Sequence, residues 1–140
     1  MKMKQILLIM TIWLAVSTVH AQEIVFIVNK KNPETSISKG EIVDIYKRIK
    51  LKWSNGETII PLNQTKESGL KEPLFNETLG FAISEHTLYY NQLGNKSALK
   101  PPAERKSSKS VLAWVARKKG AIGYVLSTDV TDKVKVLNVQ

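Results

Sequence analysis

The chain of 140 residues contains no cysteine and only two histidines. Without cysteine it forms neither disulfides nor thiolate metal ligands, so its stability has to come from packing. His20 lies in a segment that we expect to be removed, which leaves His86 as a surface or helix-packing residue. One histidine supplies neither a metal site nor a Ser–His–acid triad, and the carboxylates lack a paired spacing for acid–base chemistry. The sequence therefore predicts no enzyme activity, no cofactor and no metal site.

Long hydrophobic runs are missing after the first 21 residues. Those residues have the pattern of a secretory signal peptide, with a basic start, an apolar stretch over residues 6–16 and a small-residue cleavage site ending at Ala21. The apolar stretch is too short and interrupted for a typical membrane span. We therefore expect a signal peptide over 1–21, one domain over 22–140, periplasmic localisation and no membrane span after cleavage. An uncleaved amphipathic anchor is the alternative.

Acidic residues are scarce, with 12 against 21 basic residues and a net charge of +9. In an exported protein this surplus favours an anionic small molecule, anionic lipid headgroups or an acidic protein as partner, and it does not favour nucleic acid. Lysines that are spread over solvated faces and only aid solubility are the simpler interpretation.

The rest of the sequence alternates between strand and helix patterns. Runs of β-branched residues predict four strands, over residues 23–29, 58–62, 121–125 and 134–139. Apolar residues at helical spacing predict four helices, over residues 39–49, 70–80, 84–94 and 110–120, the third capped by Ser84 and the fourth by Ser110. Ser38 and Glu41 form a capping box at the first helix, and residues 95–110 form a loop with room for a short strand near 97–100. This order predicts an α/β fold, a three-layer α/β/α sandwich.

The turn at Ser68 and Gly69 is the candidate binding element. It follows the second predicted strand and opens a helix whose apolar residues share one face. Backbone N–H groups and a hydroxyl at the positive end of a helix dipole are suited to holding an anion. The alternative is that Ser68 only caps the helix, which is the commoner role of such a serine.

Five motifs occur along the chain, at residues 36–46, 53–63, 68–75, 114–115 and 119–125. The last of them, Lys-Gly-Ala-Ile-Gly-Tyr-Val, is the most specific. In this order and spacing the motifs resemble the periplasmic phosphate-binding proteins of ABC transporters, and most closely their short single-lobe relatives. The resemblance spans nearly all of residues 22–140. It implies a single lobe of a type 2 periplasmic-binding-protein fold and a small, phosphate-like oxyanion as ligand.

The resemblance also implies which residues bind the ligand. Position by position, these are Thr35 and Ser36 in the first loop and Ser68 and Gly69 in the turn. In the family, serines and backbone amides at helix N-termini hold the oxyanion, so this set implies the same kind of contact here.

Three positions depart from the family pattern. Leu70 stands where the family has a threonine, Gln64 where it has an arginine and Lys66 where it has an aspartate. Loss of the planar arginine fork removes both charge and geometric specificity. On a single open lobe an anion also remains hydrated and screened. We therefore expect weak binding.

Two functions fit these expectations. The first is an exported, phosphate ABC transporter substrate-binding-like protein that binds phosphate or a related oxyanion weakly at helix N-termini. The second is a ligand-free accessory module that docks through its former cleft on an envelope sensor, a transporter or an outer-membrane protein. Calorimetry with oxyanions separates the two.

Overall fold

A computed structural model describes residues 23–80, 82–94 and 99–140, and it contains a five-stranded sheet. Its strands are β1 (Ile24–Asn29), β3 (Ile60–Gln64), β4 (Ala103–Arg105), β5 (Ala121–Leu126) and β6 (Val134–Val136). The strand order is β4-β3-β5-β1-β6, and only β1 runs against the other four. A separate parallel pair consists of β2 (Ser36–Ile37) and β7 (Asn138–Val139).

Helices cover both faces of the sheet. They are α1 (Lys39–Tyr46), α2 (Lys71–Pro73), the π-helix π1 (Leu74–Leu79), α3 (Ile83–Leu93) and α4 (Ser108–Arg117). Short 3-10 turns occupy Lys66–Ser68 and Ser127–Asp129. Across the described parts of the chain, none of these helices has the length and apolar character needed to cross a bilayer. The predicted signal peptide lies outside the described residues.

Strand alternation produces two hydrophobic cores, one on each face of the sheet. In β5, Ile122 and Tyr124 pack with α1 and π1 on one face. Ala121 and Val125 belong to the second core, which α4 covers with Val111 and its neighbours. Because successive strand residues point to opposite faces, a strand buried on both faces reads as a continuous apolar run. The predicted three-layer α/β/α sandwich is confirmed.

Helix α1 begins with the predicted capping box. The Ser38 Oγ accepts a hydrogen bond from the Glu41 N–H at 3.1 Å, and a Glu41 carboxylate oxygen accepts the Ser38 N–H at 3.0 Å. The prediction that this helix extends to residue 49 is wrong, because it ends at Tyr46. Two residues later Arg48 has a left-handed φ of 60°, and Ile49 is 62% exposed.

The helix predicted over residues 70–80 forms as two short pieces, α2 and π1. It ends at Gly80, as predicted, where a φ of 75° gives the left-handed C-cap that favours glycine. Ser68 does not cap it, because the N-cap residue is Leu70. In the helix that follows, Ala82 and not Ser84 is the N-cap.

Two further helix and strand boundaries differ from the predictions. Helix α4 starts earlier than expected, because the Ser107 Oγ accepts the Ser110 N–H at 3.2 Å and Ser107 is therefore the N-cap. The final predicted strand divides into β6 and β7 at Leu137, which is buried and donates its N–H to Phe26 O. Within the predicted loop 95–110, the structure places β4. Of the suggested strand near 97–100, residues 97 and 98 lie outside the described ranges, and residues 99 and 100 do not form a strand.

Helix α3 is held against the C-terminal end of α1 by polar side chains. Tyr90 OH donates to Tyr46 O at 2.7 Å, and Tyr89 OH donates to Lys47 O at 2.8 Å. The ring of His86 lies 4.7 Å from that of Phe75, centroid to centroid. His86 is therefore a helix-packing residue, and it is only 6% exposed.

Acidification is expected to destabilise the protein through His86. Burial, assisted by the nearby Lys71 and Lys47, lowers the pKa of His86 below its usual value of 6.5, although its hydrogen bond to Tyr46 O opposes this shift. The unfolded chain then takes up a proton that the folded chain resists. The free energy of unfolding should therefore fall as the pH drops below about 6.5, with a slope of at most about 1.4 kcal/mol per pH unit.

Urea unfolding at several pH values between neutrality and mild acid measures this slope. A His86→Phe variant serves as the control, because it keeps a ring in the packed position and removes the titrating group. The role assigned to His86 is contradicted if the variant shows the same loss of stability on acidification as the natural sequence.

Candidate functional site

The candidate site is a cleft at the edge of the sheet where β3 and β5 end and α4 begins. It is open and has a volume of about 550 Å³. Its polar lining combines Gln64 from the end of β3, Ser68 from the following turn, and residues 106–109 at the start of α4. The crevice outside the carboxyl ends of parallel strands is where open α/β sheets bind ligands.

Gln64 is the buried polar residue of this cleft. Its Nε2 donates to Tyr124 O at 2.7 Å and lies 3.4 Å from Ser108 Oγ, while its backbone N–H donates to Tyr124 OH at 3.0 Å. These contacts fix the side-chain amide, yet its Oε1 has no hydrogen-bond partner among the described residues. The side chain is 0% exposed. A buried acceptor without a partner is costly, so this oxygen favours a molecule that brings a donor.

Tyr124 is buried in the core and holds Gln64 in place through hydrogen bonds. Its hydroxyl donates to Asn63 Oδ1 and accepts from the Gln64 N–H. Burial raises the pKa of Tyr124, so the phenol keeps its proton and both hydrogen bonds. The end of β3 is thereby held at a fixed position relative to β5.

The N-terminus of α4 provides the positive end of the cleft. Lys106 and Lys109 line it, together with the hydroxyls of Ser107 and Ser108. The Ser110 N–H donates to the Oγ of the N-cap residue Ser107. The other N–H groups in the first turn of a helix have no acceptor within the helix. Lysine charges and a helix dipole of the same sign favour an anion here. The carboxylate of Asp129, which also lines the cleft, opposes it.

The Ser68–Gly69 turn has fewer free donors than a typical anion-binding turn. The Ser68 N–H donates to Thr65 O at 3.1 Å, and the Gly69 N–H donates to Lys66 O at 3.2 Å. Glu67 accepts its own backbone N–H and the Thr65 hydroxyl, which lowers the pKa of this carboxyl. Gly69 has a φ of 75° and is exposed. The Ser68 Oγ accepts the Leu70 N–H at 3.3 Å, so what remains for a ligand at this turn is the O–H of Ser68 as a donor.

Thr35 and Ser36 lie apart from the Ser68 cleft. Ser36 belongs to β2, and Thr35 O accepts the Asn138 N–H of β7 at 3.0 Å. Neither residue is among those that line the cleft. Of the four predicted residues, Ser68 lines the cleft, Gly69 follows it in the exposed turn and is not among the lining residues, and Thr35 and Ser36 lie beside β7. A role for all four residues in one ligand site stays a prediction.

A second open cleft, of about 650 Å³, adjoins the first, because Leu70 and Leu126 line both. Lys39, at the start of α1, lines this second cleft. The N-terminal ends of α1 and α4 therefore face the same edge of the sheet. The α1 end is already occupied, since the Lys39 N–H donates to Gln140 O and the Glu41 N–H to Ser38 Oγ.

The sequence pattern does not reveal the cationic residues of the cleft. With Ser110 as the predicted N-cap of α4, residues 106–109 fall in the predicted loop 95–110. The run Ser107-Ser108-Lys109-Ser110 contains three possible cap residues, and a choice of Ser107 would have placed Lys109 in the first turn. No group of three or more potential metal ligands of the His, Cys, Asp or Glu type occurs in the described part of the chain.

Comparison with known proteins identifies a family. The model of a PBP superfamily domain matches residues 17–138 of this chain. A comparison with curated proteins gives no significant match.

Several solved structures share the fold. A Clostridium perfringens protein assigned as a phosphate ABC transporter substrate-binding protein, with bound phosphate, is 24% identical with a TM-score of 0.68, and the match covers 84% of this chain and 45% of that one. PstS from Borrelia burgdorferi is 17% identical with a TM-score of 0.67, over 85% of this chain and 47% of that one. An ABC-type phosphate transport receptor from Vibrio cholerae is 16% identical with a TM-score of 0.64, over 84% and 46%.

The chain thus spans slightly less than half the length of these proteins. The resemblance found in the sequence motifs is confirmed at the level of family and fold. With a family model that matches almost the whole chain, the chain belongs to the PBP superfamily.

Proposed function

We propose that this chain is an exported solute-binding-like module that holds phosphate or a related oxyanion weakly in the cleft between Ser68 and the start of α4. The observation that carries this proposal is the pairing of Gln64 Oε1, buried without a partner, with the cationic N-terminus of α4. An anion that also carries a proton satisfies both once the side chains that bury Gln64, which is 0% exposed, move to uncover its Oε1. Hydrogen phosphate has such a proton near neutral pH, and sulfate does not.

The related structures support the choice of ligand. The Clostridium perfringens protein holds phosphate in its crystal, and the Vibrio cholerae protein is an ABC-type phosphate transport receptor. Their sequences are less than 25% identical to this chain, so the ligand is a proposal for this protein. Periplasmic localisation and a link to an ABC transporter are proposals of the same kind.

Weak binding follows from the geometry of the cleft. It is open to solvent, its amides at Ser68 and Gly69 donate to the chain's own carbonyls, and Asp129 adds a negative charge. Two or three screened, charge-assisted hydrogen bonds give a net binding free energy of a few kcal/mol, which corresponds to a dissociation constant on the order of 1 mM.

Calorimetric titration of the purified protein with phosphate and with sulfate tests this function. We expect phosphate to bind more tightly than sulfate. Ser68→Ala and Lys109→Gln should each weaken phosphate binding roughly 3- to 10-fold, because each removes one hydrogen bond or charge worth about 1 kcal/mol.

Ser54→Ala is the matched control, because Ser54 is exposed in a turn and does not line the cleft. Its affinity for phosphate should equal that of the natural sequence. Absence of a heat signal for every oxyanion tested, at concentrations well above the expected dissociation constant, would contradict the proposal.

A second function is favoured by one specific observation. Because the amides of Ser68 and Gly69 already have internal acceptors, the turn can be maintained without any ligand. This is what we expect of a ligand-free accessory module that docks on an envelope sensor, a transporter or an outer-membrane protein, because its fold would not depend on a bound anion. Co-purification of such a protein, together with a silent oxyanion titration, would support this alternative.

A further inference from the structure

Seven cationic side chains gather at the edge of the sheet opposite the cleft. Strand β1 and helix α4 end at this edge, and β5 and β6 begin there. We call this set the basic edge, and it consists of Lys30, Lys31, Arg117, Lys118, Lys119, Lys133 and Lys135.

Specific contacts bring these separate segments together. Lys30, Lys31 and Lys133 line one open groove of about 500 Å³. Asn29 Nδ2 donates to Val115 O at 2.8 Å and to Ala116 O at 3.1 Å. These two hydrogen bonds hold the C-terminal end of α4 beside the end of β1, so the cations that follow Ala116 lie next to those that follow Asn29.

The charge of the basic edge is largely uncompensated. Six of its members are exposed, and Lys135, which donates to Asn32 O, is half-buried. None of the seven takes part in either ion pair of the described residues, Lys50–Glu41 and Lys71–Glu104. The cations outnumber the carboxylates near this edge seven to three, and those carboxylates are Glu34, Glu57 and Asp132.

The basic edge and the cleft lie at opposite ends of the same helix. The first turn of α4 lines the cleft, and its last residue, Arg117, belongs to the basic edge. A helix of 10 residues is about 15 Å long, since each residue adds 1.5 Å. A surface that bound the basic edge would leave the cleft open to solvent.

We propose that the basic edge docks this protein electrostatically on an anionic lipid surface. Six of the seven residues are lysines, whose flexible, hydrated charges suit a fluid layer of headgroup phosphates. Protein–protein interfaces are instead enriched in aromatic residues, methionine and arginine and depleted of lysine. The most exposed large hydrophobic side chains of the described residues, Ile49 and Leu88, are not part of the basic edge, since Ile49 follows α1 and Leu88 lies in α3.

Nucleic acid is the competing polyanion, and the composition of the basic edge does not favour it. Base readout commonly combines arginine or lysine at guanine with asparagine or glutamine at adenine, and single strands are bound largely through stacking aromatic rings; the basic edge supplies cations alone. In the basic edge, Arg117 is the one arginine, and its Nε donates to Ala113 O of its own helix. If the chain is exported, as the sequence predicts, the polyanions that it meets are membrane lipid headgroups and not the nucleic acids of the cytoplasm. The proposal does not depend on the proposed oxyanion function.

Co-sedimentation of the purified protein with vesicles tests the docking. One set of vesicles contains equal parts phosphatidylglycerol and phosphatidylcholine, and the other contains phosphatidylcholine alone. We expect binding to the anionic vesicles that falls as salt is added. Because each lysine near an anionic surface contributes about fivefold to the partition coefficient, Lys31→Gln/Lys133→Gln should lower it roughly 25-fold.

Two further variants define the surface. Arg117→Gln/Lys119→Gln removes two charges from the α4 side of the basic edge and should have a similar effect. Lys39→Gln/Lys66→Gln removes the same charge from exposed positions at the cleft edge of the sheet and should change the partition coefficient less than threefold.

The proposal is overturned if anionic vesicles are not bound, or if the control variant weakens binding as much as the other two. It is also overturned if a labelled DNA duplex at the same salt concentration is bound more tightly than the vesicles. Phosphate calorimetry on Lys31→Gln/Lys133→Gln keeps the two functions distinguishable, because an intact oxyanion response with lost vesicle binding locates the defect at the basic edge.

Discussion

Gly120→Ala should lower the free energy of unfolding by about 3 kcal/mol or more, because the added methyl group has no space. A Cβ at this position would lie 2.0 Å from Thr58 O and 3.2 Å from Thr58 C. The carbonyl oxygen of Gly120 accepts the Ile60 N–H at 2.9 Å and the Trp53 Nε1–H at 3.0 Å. To relieve the clash, the backbone around Thr58, just before β3, would have to move away from Gly120, and one of these hydrogen bonds would break. Urea unfolding of the purified variant measures the loss.

Gly40→Ala is the matched control for this substitution. Gly40 lies in the first turn of α1, and the nearest atom to an added Cβ is Ser38 Oγ at 3.9 Å. Alanine is the better helix former by about 1 kcal/mol, so this variant should be as stable as the natural sequence or slightly more stable. Equal losses for the two variants would mean that the close approach of Gly120 to Thr58 does not exist in solution.

Much of the fold could be predicted because local rules and tertiary packing agree. Ser38 and Glu41 carry the capping-box pattern, and each hydrogen bond of that pattern is present. Gly80 follows the last apolar residue of its helix and adopts the expected left-handed conformation. The alternation of strand and helix patterns was sufficient for the three-layer architecture.

The elements that the sequence does not predict are short strands that form only because they pair with another strand. Strand β2 has two residues and β4 has three, so neither is long enough to show a period. Ser36–Ile37 is extended because it pairs with β7, and Ala103–Arg105 because it pairs with β3. Such strands depend on contacts between residues distant in sequence, and a local pattern does not encode them.

The candidate site was predictable in part for the same reason. Ser68 lines the cleft, and its position after a strand and before a helix is visible in the sequence. The contribution of Lys106 and Lys109 is not, because it requires the first turn of α4 to lie beside the end of β3. The sequence shows Gln64 where the family has an arginine, but the lack of a hydrogen-bond partner at its Oε1 depends on the folded structure, in which its Nε2 contacts Tyr124 O.

Tyr46→Ala should cost about 3–5 kcal/mol of folding free energy, because it empties the centre of the larger core. Tyr46 is fully buried, with its ring centroid 6.2 Å from that of Phe26 and 6.3 Å from that of Tyr124. Burial raises the pKa of Tyr46, so the hydroxyl keeps its proton and donates to Leu62 O at 2.8 Å. Loss of the side chain therefore removes ring packing and a hydrogen bond to β3 together.

Tyr46→Phe separates the two contributions. It keeps the ring and removes only the hydroxyl, so it should cost about 1–2 kcal/mol, as expected for one buried hydrogen bond whose acceptor is left behind. Because Leu62 precedes Gln64 by two residues in β3, the hydroxyl also helps to position the cleft, and phosphate binding by Tyr46→Phe should weaken more than that of a Leu88→Ala variant at the exposed side of α3. Chemical denaturation and phosphate calorimetry on the two tyrosine variants provide both readouts. A Phe variant as unstable as the Ala variant would show that the hydroxyl, and not the ring, organises this core.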